Sequence, residues 1–269
     1  MVSRTPARVT VDRLILEELL EFAQRLARDA GRIALAQFGK NPQRERKADG
    51  SIVTAADREA EQLMRRRIEE RYPEDAIVGE EFGARIGSSG RRWILDPIDG
   101  TFSYARDVPL FGTLVGLEVD GEPVAGVVHM PALAETTSAA KGLGARFNGV
   151  AARVSALATL ADSLVVCGDF YAGHAHGFGL AAERVAAAAR QRRGWGDCYG
   201  HMLVARGKAE IALDPVMSIW DCAALLPILE EAGGTFTDWR GHRTIDGGNA
   251  ISTNGALFDE VMNIVRAST

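Results

Sequence analysis

The densest group of residues able to do chemistry is the segment Trp93-Ile94-Leu95-Asp96-Pro97-Ile98-Asp99-Gly100-Thr101. An apolar run delivers two aspartates three residues apart. Pro97 between them fixes one backbone dihedral and biases Asp96 towards an extended conformation. Such a turn aims both carboxylates and the Ile98 carbonyl into one space, the way hard oxygen donors are brought to a divalent cation. Gly100-Thr101 then reads as the opening of a helix whose unpaired N–H groups favour a phosphate. Taken alone, the same residues also describe a strand followed by an Asp-rich turn with a helix cap.

More acids stand at element boundaries. Glu80 and Glu81 follow the apolar run Ala76-Ile77-Val78, Asp57 lies near the start of a helical stretch, and Asp221 follows Trp220 at the head of another. Each has a local explanation. Asp57 and Asp221 favour helix N-termini by roughly 0.3–1 kcal/mol each, and Glu80 reads as a solvated strand end.

The elements that must position these acids follow from apolar spacing. Val11, Leu14, Ile15, Leu19, Phe22, Leu26, Ile33 and Phe38 recur at three- and four-residue steps and predict one amphipathic helix over about 11–38. The polar RERKADGS stretch then reads as a loop or ragged hairpin. Thr54 with Asp57 resembles a capping box that starts a second helix, stopped by Tyr72-Pro73. Strands are expected at 76–78 and 93–95, the latter ending on Asp96-Pro97, and at 110–119, 124–130, 135–140 and 145–148. Asp120-Gly121-Glu122-Pro123 makes a hairpin of two of them. Beyond residue 160, short apolar strands alternate with helical stretches. The reading is α+β over 1–150 and α/β over 151–269, with Asp221 in the second part and no linker between. His174 and His176 in AGHAHGFG read as a mobile loop and not a metal pair, for want of a third ligand.

Composition narrows the function classes. The chain has 269 residues, 46% hydrophobic and 25% charged, with a formal net charge of −5, ordinary for a globular protein. No basic run suggests nucleic-acid binding; Arg65-Arg66-Arg67 lies beside Glu69 and Glu70 as a solvated helix face. No stretch approaches the roughly 20 apolar residues that span a bilayer, and the N-terminus shows no apolar leader. Three scattered cysteines without a CxxC pair predict reduced thiols and a cytoplasmic protein.

Four segments together resemble the inositol monophosphatase superfamily of magnesium-dependent, lithium-sensitive phosphatases. They are Val53-Thr54-Ala55-Ala56-Asp57, Gly79-Glu80-Glu81, Asp96-Pro97-Ile98-Asp99-Gly100-Thr101 and Trp220-Asp221-Cys222-Ala223-Ala224, in the family's order, and the resemblance spans about residues 11–265. It implies a sugar-phosphatase fold of alternating α-β-α-β-α layers and a homodimer. It implies Glu80, Asp96, the Ile98 carbonyl, Asp99 and Asp221 as metal ligands, and Asp57 with Thr101 as the pair that positions and deprotonates the attacking water. Gly100 and Thr101 N–H groups are the implied phosphate cradle; Glu81 matches no ligand and is read as structural. Such an all-oxygen set suits Mg²⁺, with Mn²⁺ as a substitute, over zinc or copper. On the order of two or three ions would offset the carboxylates' repulsion, lower the pKa of a bound water and stabilise a leaving alkoxide. With no activated nucleophile evident, no covalent phosphoenzyme is expected.

Within that superfamily, Pro109-Leu110-Phe111-Gly112-Thr113-Leu114, Gly196-Asp197-Cys198-Tyr199-Gly200 and Asp238-Trp239-Arg240-Gly241 look most like the histidinol-phosphate phosphatases. Histidinol phosphate carries an ammonium group and an imidazole, so its site needs acids outside the metal cluster. Asp197 and Asp214 are the candidates; Asp214 lies seven residues before Asp221, where the superfamily places a substrate-reading acid. A helix cap explains Asp197 equally well, and a strand-end turn with Pro215 explains Asp214. Phe102 fits neither subgroup's pattern. The alternatives are an inositol-phosphate, sugar or nucleotide phosphatase on the same fold, and a regulatory interaction protein that keeps the fold.

Overall fold

The computed structural model describes residues 11–40, 44–46, 52–169 and 171–268. Strands β1 (Arg44–Arg46) and β2 (Ile52–Thr54) pair as a small antiparallel ladder. Residues 47–51 of the expected polar hairpin, and the N-terminal ten residues, lie outside the described residues. The principal sheet holds β3 (Ala76–Gly79), β4 (Gly83–Arg85), β5 (Arg91–Asp99), β6 (Gly112–Val119), β7 (Glu122–Met130), β8 (Glu135–Ala140), β9 (Gly144–Phe147) and β10 (Val150–Ala151). Its order is β10-β9-β8-β7-β6-β5-β3-β4, antiparallel except where β3 runs beside β5. A second sheet of order β12-β11-β13-β15-β14 contains β11 (Leu164–Cys167), β12 (Gln191–Arg193), β13 (Ile211–Asp214), β14 (Thr235–Thr237) and β15 (Ala250–Thr253).

The helices fill three layers around these sheets. Helices α1 (Arg13–Gln37) and α2 (Ala55–Arg71) cover one face of the principal sheet, where Trp93, Leu95, Val115, Leu117 and Val127 meet Leu19, Leu26, Met64 and Ile68. The next residues along the strands, Ile94, Leu114 and Val128, face the opposite way. That period of two puts side chains on both faces of a sheet buried on both sides, hence the continuous apolar runs in the sequence. After the single turn α3 (Thr101–Tyr104), the short α4 (Ala172–Ala175) and α5 (Gly179–Ala188) follow. Helices α6 (Asp197–Ala205), α7 (Ile219–Ala223) and α8 (Leu225–Glu231) share a core with the inner faces of both sheets. Helix α5 and α9 (Phe258–Arg266) cover the outer face of the second sheet. The layers therefore run α-β-α-β-α, as the resemblance implies.

Several elements depart from the expectations. The stretch WDCAALLPILEEAGG, read as one helix, breaks at Ala224 into α7 and α8. Pro227 is the cause, because its ring clashes with the carbonyl four residues back, at Ala223. The polar edge strand β12, exposed throughout, was not foreseen; it has no apolar alternation to betray it. The segment carrying His174 is not a loop: α4 forms there, and His174 Nε2 meets Glu183 Oε1 at 2.8 Å.

Helices α7 and α8 approach the principal sheet closely because it presents glycines. A Cβ on Gly116 would lie 2.6 Å from Ala223 Cβ, and one on Gly126 only 2.0 Å from the Ala224 carbonyl oxygen. Gly126→Ala should therefore push the α7–α8 junction off the sheet and destabilise the fold by roughly 1–3 kcal/mol. Thermal denaturation checks this; an unchanged midpoint would contradict the packing described.

Candidate active site

Parallel pairing brings two acids together first. Strands β3 and β5 pair from Ala76↔Arg92 to Gly79↔Leu95, and the Glu80 N–H donates to the Leu95 carbonyl at 3.2 Å. Glu80 and Asp96 thus stand side by side just past the last parallel pair, Gly79↔Leu95. The expected strand end at Asp96-Pro97 is not observed. Pairing with β6 slips after Asp96↔Leu114 and resumes at Asp99↔Gly112. Pro97, with no N–H to donate, is suited to such a bulge. The Thr113 hydroxyl donates to the Pro97 carbonyl and the Thr101 hydroxyl to the Ile98 carbonyl, each at 2.9 Å.

Helix termini supply the remaining groups. In α7 the Ser218 N–H donates to Asp221 Oδ2 at 2.6 Å, and Asp99 Oδ2 accepts from the Cys198 N–H of α6, also at 2.6 Å. Oxygens of Asp96, Asp99 and Asp221, one from each, all lie within 4.8 Å of one another. Asp57 is fully buried at the start of α2, its Oδ2 taken by the Thr54 N–H at 2.8 Å and the Thr54 hydroxyl at 2.6 Å. The structure does not join Asp57 to Thr101, whose hydroxyl is turned to Ile98. Gly100 is left-handed at φ 80°, and a Cβ there would meet the Leu110 carbonyl at 3.0 Å and Asp197 Oδ2 at 3.1 Å. The helix expected to open at Gly100-Thr101 is α3, a single turn of four residues.

Asp197 and Asp214 border the cluster. Asp214 ends β13, its carbonyl held by the Trp239 indole N–H at 3.0 Å, so the Asp238-Trp239 segment fixes its backbone. Phe102 is 64% exposed with the Arg106 guanidinium 3.5 Å over its ring. Sequence reasoning missed the part of Cys198, whose thiol and backbone N–H both act on Asp99. It also left Glu81 aside, whose charge acts on Asp57 more strongly than that of Glu80.

The carboxylates hold their protons unusually well. Burial lifts Asp57 to about 7 against the pull of its Thr54 hydrogen bonds. Burial and then Asp221 lift Asp99 to about 7, and burial and then Asp99 lift Asp197 to about 7. Burial lifts Asp221 to about 6, opposed by the Ser218 N–H. Asp96 is driven well above the carboxylate range by burial, Glu80 and Asp99; Asp214 likewise by burial, Asp197 and Asp221. Asp57 Oδ1 and Asp96 Oδ1 are buried and have no hydrogen-bond partner among the described residues. Converging hard oxygens, mutual repulsion and orphaned acceptors together fit a divalent cation.

A raised folded-state pKa adds stability that is complete below the unfolded value and disappears as pH rises through the folded one. For Asp57, Asp99 and Asp197 that window runs from 3.8 to about 7. The rise in melting temperature produced by Mn²⁺ over EDTA should therefore grow from pH 5 to pH 8. Asp99→Asn should raise the EDTA melting point at pH 8, on the order of 2–4 °C for each kcal/mol of repulsion removed, and shrink the Mn²⁺ increment. Differential scanning calorimetry reads both; a pH-independent increment would contradict the electrostatics.

Known proteins share this chain's sequence and form. Residues 15–268 match the sequence profile of the inositol monophosphatase family. A histidinol-phosphatase of Chlorobaculum parvum is 45% identical over 240 residues, 88% of this chain and 93% of that one. A histidinol-phosphatase of Mycobacterium tuberculosis is 37% identical over 254 residues, covering 92% and 98%. The crystal structure of extragenic suppressor protein suhB from Bartonella henselae superposes with a TM-score of 0.87 at 29% identity, covering 94% of this chain and 100% of that one. With nearly its whole length matched by one family profile, and with acids from its motifs gathered into one cluster, the chain belongs to the inositol monophosphatase family.

Proposed function

We propose that the chain is a Mg²⁺-dependent phosphatase that converts L-histidinol phosphate to L-histidinol, with Mn²⁺ able to substitute. The observation that carries the substrate is the placement of Asp197. Its carboxylate lies outside the Asp96–Asp99–Asp221 group, yet its Oδ2 rests against Gly100, beside the proposed phosphate cradle. Asp214 feels the charge of Asp197 and Asp221 and extends the acidic wall. A leaving group bearing an ammonium and an imidazole would form charge-assisted hydrogen bonds there, whereas the hydroxyls of a neutral polyol could donate to the same carboxylates only without the charge assistance. The relatives named histidinol-phosphatase support the same substrate.

Glu80, Asp96, the Ile98 carbonyl, Asp99 and Asp221 would hold the cations. When bound, the ions supply an acidified water and positive charge to offset the leaving oxygen. Asp57 offers Oδ1 to take the water's proton, since Oδ2 is tied to Thr54. The Thr101 hydroxyl spends its proton on the Ile98 carbonyl, which leaves its lone pairs to orient that water. Gly100 and Thr101 N–H groups, at the unpaired start of α3, receive phosphoryl oxygens. Cys198 is not a nucleophile here: its thiol is buried against Met130 Sδ at 3.5 Å. A homodimer in the cytoplasm completes the proposal. The family resemblance implies the first, and three free, buried cysteines support the second.

The test is phosphate release from L-histidinol phosphate and myo-inositol 1-phosphate, side by side, with Mg²⁺ and with EDTA. Mg²⁺-dependent release from histidinol phosphate alone is expected; release from inositol phosphate alone would overturn the substrate. Asp99→Asn should abolish turnover with the fold intact, and near-normal activity at saturating Mg²⁺ would sink the mechanism. Asp197 has φ 51°, a conformation Asn tolerates. Asp197→Asn should therefore raise KM for histidinol phosphate roughly 10–100-fold, about 1.4–2.8 kcal/mol, without unfolding the chain.

A further inference from the structure

We propose that Glu61 is a positioning residue for the metal-binding cluster, acting through the backbone that carries Glu80. The inference rests on the reading of that cluster as a cation site. Glu61 lies one helical turn after Asp57 on α2, so the face that presents Asp57 also presents Glu61. It is fully buried, and its carboxylate is divided among three donors. Oε2 accepts from the Glu81 N–H at 2.7 Å; Oε1 accepts from the Phe82 N–H at 3.2 Å and from Arg65 Nε at 2.7 Å.

Those two amides belong to the loop Glu80-Glu81-Phe82, between the paired residues Gly79 and Gly83 of the β3–β4 hairpin. Loop-tip amides have no strand partner, and burying them unpaired is costly. Glu61 supplies the missing acceptors. On the other side, the Glu80 N–H is fixed to the Leu95 carbonyl. The peptides before and after the Glu80 Cα are therefore both anchored, which sets its φ and ψ and hence the direction of its side chain. That direction is towards the cluster, since its charge acts on Asp57, Asp96, Asp99 and Asp221. Gly79 makes the arrangement possible. A Cβ at that position would lie 2.1 Å from Glu61 Oε1 and 2.4 Å from its Cδ, so only glycine admits the carboxylate this close.

A residue serving stability alone would lower the melting point and leave cation affinity untouched. A positioning residue changes affinity, and second-sphere partners of metal ligands typically contribute roughly 10–100-fold. The test is Mn²⁺ titration calorimetry on wild type, Glu61→Gln, Gly79→Ala and Arg65→Met. Glu61→Gln keeps the volume but turns an amide N–H₂ towards backbone donors. Gly79→Ala displaces the carboxylate without changing its charge, and serves if Glu61→Gln fails to fold. Both should weaken Mn²⁺ binding roughly tenfold or more and raise the Mg²⁺ concentration for half-maximal activity by the same factor. Arg65→Met removes the buried ion pair together with the Arg65 contacts to the Gly83 carbonyl and the Phe82 ring; with both amide acceptors of Glu61 left in place, its loss of affinity should be clearly smaller than that of Glu61→Gln. Wild-type affinity in the folded Glu61→Gln and Gly79→Ala proteins would overturn the role of Glu61, as would an equal loss in Arg65→Met. A wild type that binds no Mn²⁺ would overturn the reading of the cluster itself.

Discussion

Like charges crowded into a protein cleft repel one another, and Asp96, Asp99 and Asp221 bring their oxygens within 4.8 Å. At an effective dielectric of about 20, each such pair costs about 3–4 kcal/mol when ionised. Helix-cap attraction offsets roughly 0.3–1 kcal/mol per acid, too little to hold the group together as bare anions. Protons can relieve the repulsion, and the raised proton affinities of Asp57, Asp99, Asp197 and Asp221 express that. A divalent cation relieves it at neutral pH without removing the charges that catalysis needs.

The rest of the fold serves to impose that crowding. Parallel pairing of β3 with β5 sets Glu80 beside Asp96, and the bulge at Pro97-Ile98 turns Asp99 into the same space. The start of α6 holds Asp99 through the Cys198 N–H, and the glycines at 116 and 126 let α7 settle onto the sheet with Asp221. Four elements far apart in sequence thus converge, each fixed by backbone hydrogen bonds or close packing. The sites for charge are built before any ligand arrives, at the expense of fold stability, which is how preorganised electrostatic sites work.

Much of this was legible from residue types. The Asp96-Pro97-Ile98-Asp99-Gly100-Thr101 run and the downstream Trp220-Asp221 announce themselves because both rigid backbone and carboxylates are written in side chains. Apolar period likewise gave α1 within two residues at its start. What sequence could not give was backbone work. The Cys198 N–H, the bulge in β5 and the role of Gly79 leave no side-chain signature. Glu61 is one more acid on a helix whose solvent face is rich in charge, and its burial depends on the tertiary placement of the loop after β3. The broken α7–α8 helix was foreseeable from Pro227, but the apolar periodicity across it suggested continuity.

Anomalous diffraction from crystals grown with Mn²⁺ would show whether the acidic cluster holds cations. Manganese peaks are expected among the side chains of Glu80, Asp96, Asp99 and Asp221, with the four carboxylates drawn towards them. A structure grown in saturating Mn²⁺ at neutral pH, with those carboxylates in place and no anomalous peak between them, would contradict a cation site there.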